Sequence, residues 1–215
     1  MGGDGLAEHW SVRCEAAQTA VIVPDGCRDL IVRLRDDAAP VQSWFALADT
    51  AVTVALDGGQ TLHGFRLLPG TRFRRPGFEE RSAALGFDPA VIEAALREEV
   101  VRSAAIAEAL ESLAGGTGRI GDHARAVGLG ERSLHRLVIG ETGRRPGFWL
   151  QLARVRRAAR AVVGGGAPLA EVAAAAGYAD QAHMSRAVRH WFGCSPTRLA
   201  AIAGIEAALA APAFG

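Results

Sequence analysis

The second half of this 215-residue chain carries one short unit twice. Ile120, Ala124 and Gly128 recur 49 residues later as Leu169, Ala173 and Gly177. Leu134, Arg136, Gly143 and Pro146 recur 50 residues later as Met184, Arg186, Gly193 and Pro196. The extra residue falls in the turn after the glycine, where insertions are tolerated. Each copy reads as a short helix, a glycine turn and a longer helix. Ala124 and Ala173 are small enough for the second helix to cross close by, and Gly128 and Gly177 supply the left-handed backbone that ends the first helix. Leu134 and Leu137, or Met184 and Val188, form an inward stripe at helical spacing. Arg132, His135 and Arg136 in one copy, and Gln181, His183, Arg186 and Arg189 in the other, are left pointing outward. This is helix-turn-helix geometry, in which the second helix enters a major groove.

Charge supports the same reading. The net charge is +1 and every one of the 24 basic residues is Arg. Residues 1–118 hold 11 Arg against 17 acidic residues, net −6, whereas residues 119–200 hold 13 Arg against 5, net +8. An acidic half followed by a basic half is the footprint of a nucleic-acid-binding domain joined to another unit. The absence of Lys and Asn, with abundant Ala and Gly, is what codon bias in a G- and C-rich genome produces.

Segment 119–198 resembles the paired helix-turn-helix domain of the AraC/XylS family of bacterial transcription regulators. Ala124 with Gly128-Leu129, Leu134-His135-Arg136 and Glu141-Thr142-Gly143-Arg144-Arg145-Pro146 carry the likeness in the first copy. Glu171-Val172-Ala173, Gly177-Tyr178-Ala179-Asp180-Gln181 and Phe192-Gly193-Cys194-Ser195-Pro196 carry it in the second. Between them, Trp149 to Ala158 follows the family's linking-helix pattern, expected to span Gly147 to about Val163. Val138 stands where the family usually has Phe, and Ile139-Gly140 replaces a polar, basic pair. Because glycine is poor inside a helix, these departures predict a shorter or looser first recognition helix. Arg136 and Arg186 occupy equivalent positions in the two units and are candidate base readers, since an Arg fork reads guanine O6 and N7 as Gln181 would read adenine. His135, His183 and Ser185 are candidates for base or phosphate contacts, Arg144, Arg145 and Arg189 for phosphate contacts, and Arg132 is a further DNA-binding candidate. The resemblance implies a buried bracing role for Arg154.

The front of the chain reads as β. Val21-Ile22-Val23, Leu30-Ile31-Val32-Arg33-Leu34, Ala51 to Leu56 and Leu62 to Leu67 are short β-prone runs, with turns at Pro24-Asp25-Gly26, Asp57-Gly58-Gly59 and Pro69-Gly70. The runs Pro24 to Ile31 and Gly64 to Gly70 resemble the acidic N-terminal domain attached to a subset of these regulators. Beyond Pro76-Gly77, Asp88-Pro89 is a helix-start pair ahead of Val91, Ile92, Ala95, Leu96 and Val100 at helical spacing. Ile106, Leu110 and Leu113 extend an apolar stripe to Gly115-Gly116-Thr117-Gly118, read as a linker.

The expected architecture is therefore α+β. It comprises a β-rich domain over residues 1–78, a sandwich or partial barrel for sensing or oligomerisation, and a helical connector with a Gly-rich linker over 79–118. A double helix-turn-helix domain follows over 119–200, then an Ala-rich tail over 201–215. The expected function is sequence-specific DNA binding that regulates transcription, as an activator or a repressor, modulated by a small-molecule effector through the front domain. The alternative is a partner-gated adaptor whose front domain binds another protein. Double-stranded DNA, RNA polymerase and a second copy of the chain are the expected partners.

Other classes fit poorly. No apolar run is long enough for a membrane span, and the first ten residues lack a signal pattern, so a cytoplasmic location is expected. Cys14, Cys27 and Cys194 are scattered and odd in number, which suits neither a disulfide framework nor a zinc site. Cys27 near Asp29, with His63 downstream, invites a catalytic reading, but no nucleophile signature surrounds it. His9, His63 and His123 have no ligand spacing. Neither an enzyme nor a cofactor or metal protein is expected.

Overall fold

The computed structural model describes residues 5–211 together with Ala213 and Phe214. Residues 1–4 of the expected front domain, and Pro212 and Gly215 of the expected tail, lie outside the described residues. The architecture is α+β, strands first and helices after. Strands β1 (Leu6–Cys14), β2 (Gln18–Ile22), β3 (Arg28–Arg35), β4 (Val41–Phe45), β5 (Val52–Leu56) and β6 (Gln60–Leu67) are followed by a short β7 (Arg72–Phe73). An antiparallel sheet forms in the order β1-β6-β3-β4, and β2 and β5 pair as a separate ribbon. The sequence marked β2, β3, β5 and β6 but not β1 or β4. The burial of β1 and β4 runs in blocks of partly buried and exposed residues, so neither alternates cleanly between apolar and polar.

Alternation in β3 sends Leu30 and Val32 to one face, where Phe65 and Leu67 of β6 and Leu6 of β1 join them. On the other face Trp10 stands opposite Gly64, and a Cβ at Gly64 would come within 2.0 Å of the indole. Only glycine admits that contact. Helix α1 (Phe78–Ser82), a 3₁₀ turn (Ala83–Leu85) and α2 (Pro89–Glu99) close the core with Phe78, Ile92 and Leu96. Asp88 caps α2 by accepting from the Ala90 amide at 2.9 Å, and Pro89 fills the first helical position. Strand β8 (Val100–Val101) then pairs with β7.

A second core is helical. It is built by α3 (Ala104–Gly115), α4 (Ile120–Ala126), α5 (Glu131–Thr142), α6 (Pro146–Gly164), α7 (Leu169–Ala175), α8 (Gln181–Phe192) and the short α9 (Pro196–Leu199) and α10 (Ile205–Ala210). Ile106 and Leu113 of α3, Leu134 and Val138 of α5, Trp149, Leu152 and Val155 of α6, and Met184 and Val188 of α8 are fully buried together. Residues 79–118 are thus shared: α2 packs on the sheet and α3 packs among the helices. Gly116 lies beneath the His123 imidazole, where a Cβ would come within 2.3 Å, so packing as well as flexibility requires glycine there.

The two cores meet at the loop after β2. Val23 packs into the helical core, and Gly26, at φ 79°, has Trp149 and Phe214 within 3 Å of where a Cβ would sit. Arg156 of α6, fully buried, donates to the Pro24 carbonyl at 2.9 Å and to the Leu209 carbonyl at 3.2 Å. The Phe214 amide donates to the Asp25 carbonyl at 2.8 Å, and its ring lies edge-on to Trp149. Burial, and then the neighbouring Arg160, push the Arg156 guanidinium down to about 10, so it stays protonated at neutral pH. Arg156, rather than Arg154, is the buried arginine of the linking helix.

Candidate nucleic-acid interface

The repeated unit folds as its spacing requires. Helices α4 and α5 make one helix-turn-helix and α7 and α8 the other, with Gly128 at φ 69° and Gly177 at φ 82° in the turns. The 19-residue α6 joins them and matches the expected linking helix within a residue at each end. Leu134 and Val138 in α5, and Met184 and Val188 in α8, point into the core.

The two recognition helices have equal length, 12 residues each. The expected shortening of the first does not occur. α5 runs through Gly140 to Thr142 and closes on Gly143 at φ 70°, because buried Leu134 and Val138 anchor it to the core. Glycine in an exposed last turn costs less than one kcal/mol or so, which tertiary packing exceeds. The helices differ at their starts. Asp180 accepts from the His183 amide at 2.7 Å and caps α8, whereas Gly130 gives α5 no side-chain cap.

The outward residues are where the pattern puts them. Arg132, Arg136 and Arg145 are exposed on the first unit, as are Gln181, His183, Arg186 and Arg189 on the second; His135 and Ser185 are half-buried. The side chains of Arg132, Arg136, Arg145, Arg186 and Arg189 make no hydrogen bond or ion pair with any described residue. The front half behaves oppositely. Arg13, Arg28, Arg35, Arg66, Arg72, Arg75 and Arg97 each bond a carboxylate. Among the described residues, unpaired guanidinium groups recur on both recognition helices and at the corner after α5, whereas most arginines of the acidic half are bonded to carboxylates or carbonyls, Arg72 reaching across to Glu141 of α5. Such a surface suits a polyanion.

Arg144 differs from the other phosphate-contact candidates. Its guanidinium bonds both carboxylate oxygens of Asp49, at 2.7 and 2.8 Å, and lies over the Phe148 ring at 5.2 Å. Sequence reasoning gave no sign of this pair, since 95 residues separate its members. His183 presents its ring edge to Tyr178, with centroids 5.1 Å apart, and lines a crease of about 280 Å³ between α6 and α8 with Gln151, Arg154, His190 and Trp191. Arg154, half-buried, stacks over Tyr178, whose phenol burial pushes up to about 12. A larger cavity, about 430 Å³, lies between the halves, lined by Arg28, Leu47, Phe73, Glu141, Thr142 and Trp149 among others.

The nucleophile reading of Cys27 does not survive. Burial, reinforced by Asp25, drives its thiol far above the ordinary range, the opposite of what an activated nucleophile requires. Asp29 is committed to Arg66 at 3.0 Å. His63 lies on β6 with its ring nitrogen 3.4 Å from that of His9, which in turn bonds Glu93 of α2 at 2.8 Å. Among the described residues no group of three His, Cys, Asp or Glu could hold a metal ion, and no helix is long and apolar enough to cross a membrane.

Residues 123–201 match a family model described as a helix-turn-helix domain. No curated protein matches the chain. Among solved structures, the chain is similar to a transcriptional regulator with an AraC-type DNA-binding domain from Chromobacterium violaceum, at 23% identity and TM-score 0.42, covering 50% of this chain and 94% of that one. It is also similar to ToxT from Vibrio cholerae, at 10% identity and TM-score 0.45, covering 92% and 99%. For wild-type ToxT bound to an unsaturated fatty acid the values are 8%, 0.46, 95% and 98%.

Proposed function

We propose that this chain, whose residues 123–201 match a helix-turn-helix family model, is a transcription regulator that reads a bipartite DNA site through α5 and α8. The observation that carries the proposal is the exposed, unpaired arginine set repeated on two equivalent helices. Arg136 and Arg186 occupy matching positions, and a guanidinium fork reads guanine O6 and N7, as Gln181 reads adenine. Arg145 and Arg189 contact phosphates. Two recognition helices on one linking helix address successive major grooves, about 34–36 Å apart.

Footprinting on sites selected from a random pool tests this. Two protected segments one helical turn apart are expected, and a single protected segment would sink the two-groove reading. The logarithm of the affinity should fall linearly with log salt, because phosphate neutralisation releases counterions. A flat salt response would exclude DNA as the partner.

Modulation by a small-molecule effector is the finer part of the proposal. The cavity between the halves touches both α5 and the sheet domain, so an occupant would sense their relative position. Leu68 lines it, and Leu68→Trp would fill it. An effector response abolished by that change, with DNA binding intact, is expected. A protein partner instead would use the exposed Ile22 and Val52, paired across the β2-β5 ribbon, and its effect would persist in Leu68→Trp.

A further inference from the structure

The loop between β4 and β5 reaches the C-terminal ends of both recognition helices. Asp49 grips Arg144, which lies two residues beyond α5, and the Ala51 amide donates to the Trp191 carbonyl in the last turn of α8 at 2.7 Å. The contacts close into a circuit. The Arg144 guanidinium lies 5.2 Å over Phe148, and the Phe148 ring lies 5.3 Å from the Trp191 ring. Trp191 in turn returns to Ala51 through its carbonyl. Leu47 and Ala51 pack against the helical core from the same loop. Among the described residues no hydrogen bond joins α5 directly to α8.

We propose that loop 46–51 of the acidic half is a spacing gauge for the DNA-reading half: Asp49 and Ala51 fix how far apart α5 and α8 are held, and so which separation of half-sites the protein accepts. The inference rests on the reading that α5 and α8 contact DNA. Helix α6 sets the coarse distance, buried Leu134, Val138, Met184 and Val188 anchor the middle of each recognition helix, and Arg72 also holds the end of α5 through Glu141 and the Gly140 carbonyl. Among the described residues, loop 46–51 alone ties the C-terminal ends of both helices to one another. That shared tie sets the separation of the two ends. Asp49 is a positioning residue, acting through Arg144 and Phe148 rather than on the nucleic acid itself.

The test uses the full chain and a site obtained by selection, alongside versions with one base pair inserted or removed between the half-sites. The wild type should discriminate strongly against altered spacing. Asp49→Asn keeps the loop's shape while removing the charge, and Ala51→Pro removes the amide hydrogen. Each should lower the discrimination ratio, about fivefold together, and weaken binding at the natural spacing. Asp49→Glu, which restores a carboxylate, should recover the ratio. Thermal midpoints of the variants check folding, and the ratio is a readout that a merely stabilising contact would not move. An unchanged ratio in both variants overturns the proposal. Tighter binding by Asp49→Asn with an unchanged ratio also overturns it, because Asp49 would then merely mask Arg144. A wild type that binds no DNA defeats the DNA reading itself, an outcome separate from either of these.

Discussion

The side chains of Arg186 and Arg145 are both exposed and neither has a partner among the described residues, yet the chemistry expected of them differs. Arg186 projects from the middle of a capped helix, so its fork is held in one geometry, and fixed geometry is what converts a hydrogen bond into base discrimination. Arg186→Ala should relax preference at one position of the site and cost about 1–3 kcal/mol on the preferred sequence. Arg145 lies at the corner before α6 and should act on phosphate. Arg145→Ala should weaken all sequences alike and lower the salt slope by about one unit. Competition binding across a randomised site separates the two, and uniform weakening by Arg186→Ala would reverse its assignment. Which arginines point outward was legible from the 3.6-residue period alone. That Arg144 answers to Asp49, and that Arg156 rather than Arg154 is buried, was not, because both depend on contacts between distant parts of the chain.

Helix starts and sheet closures carry their own expectations. Removing the α8 cap with Asp180→Ala leaves the His183 amide without its acceptor and should cost about 1 kcal/mol, read as a lowered thermal midpoint. The second recognition helix should then lose discrimination faster than the first, which has no side-chain cap to lose. At the β7-β8 closure, Glu99 is buried to 2% exposure and bonded by Arg75, whose contact holds its carboxyl below the ordinary 4.5. A carboxylate whose folded value is depressed stabilises the fold above its unfolded value and loses that contribution as pH falls through the folded one. The stability gap between wild type and Glu99→Gln should therefore be full near neutrality and close below about pH 4.5. A gap independent of pH would show that packing, not charge, is the cause. The helical elements were readable because the repeat, the caps and the glycine turns agree with one another. β1 and β4 were not, since partly buried strands lack the alternation that marks a one-sided sheet.

At the scale of the whole molecule, two separately packed cores are stitched through Arg156, Gly26 and Phe214. Phe214→Ala should lower stability by roughly 3–5 kcal/mol if the vacated space beside Trp149 stays open. Nothing local in the sequence marks this seam; the turn at Pro24-Asp25-Gly26 was legible, but its docking against α6 and the last residues was not. The seam has a further consequence. Holding a half of net −6 rigidly against a half of net +8 gives the molecule a permanent dipole moment along the line between them. In the field of a duplex that dipole feels a torque, so the protein is turned reading-face-first before any contact forms, and fewer collisions are wasted. The encounter rate should accordingly exceed that of an otherwise equal but uniformly charged protein, and the advantage should vanish once added salt shortens the screening length to a few ångströms. Acidic residues far from the nucleic acid would thus speed binding while contributing no contact to the complex.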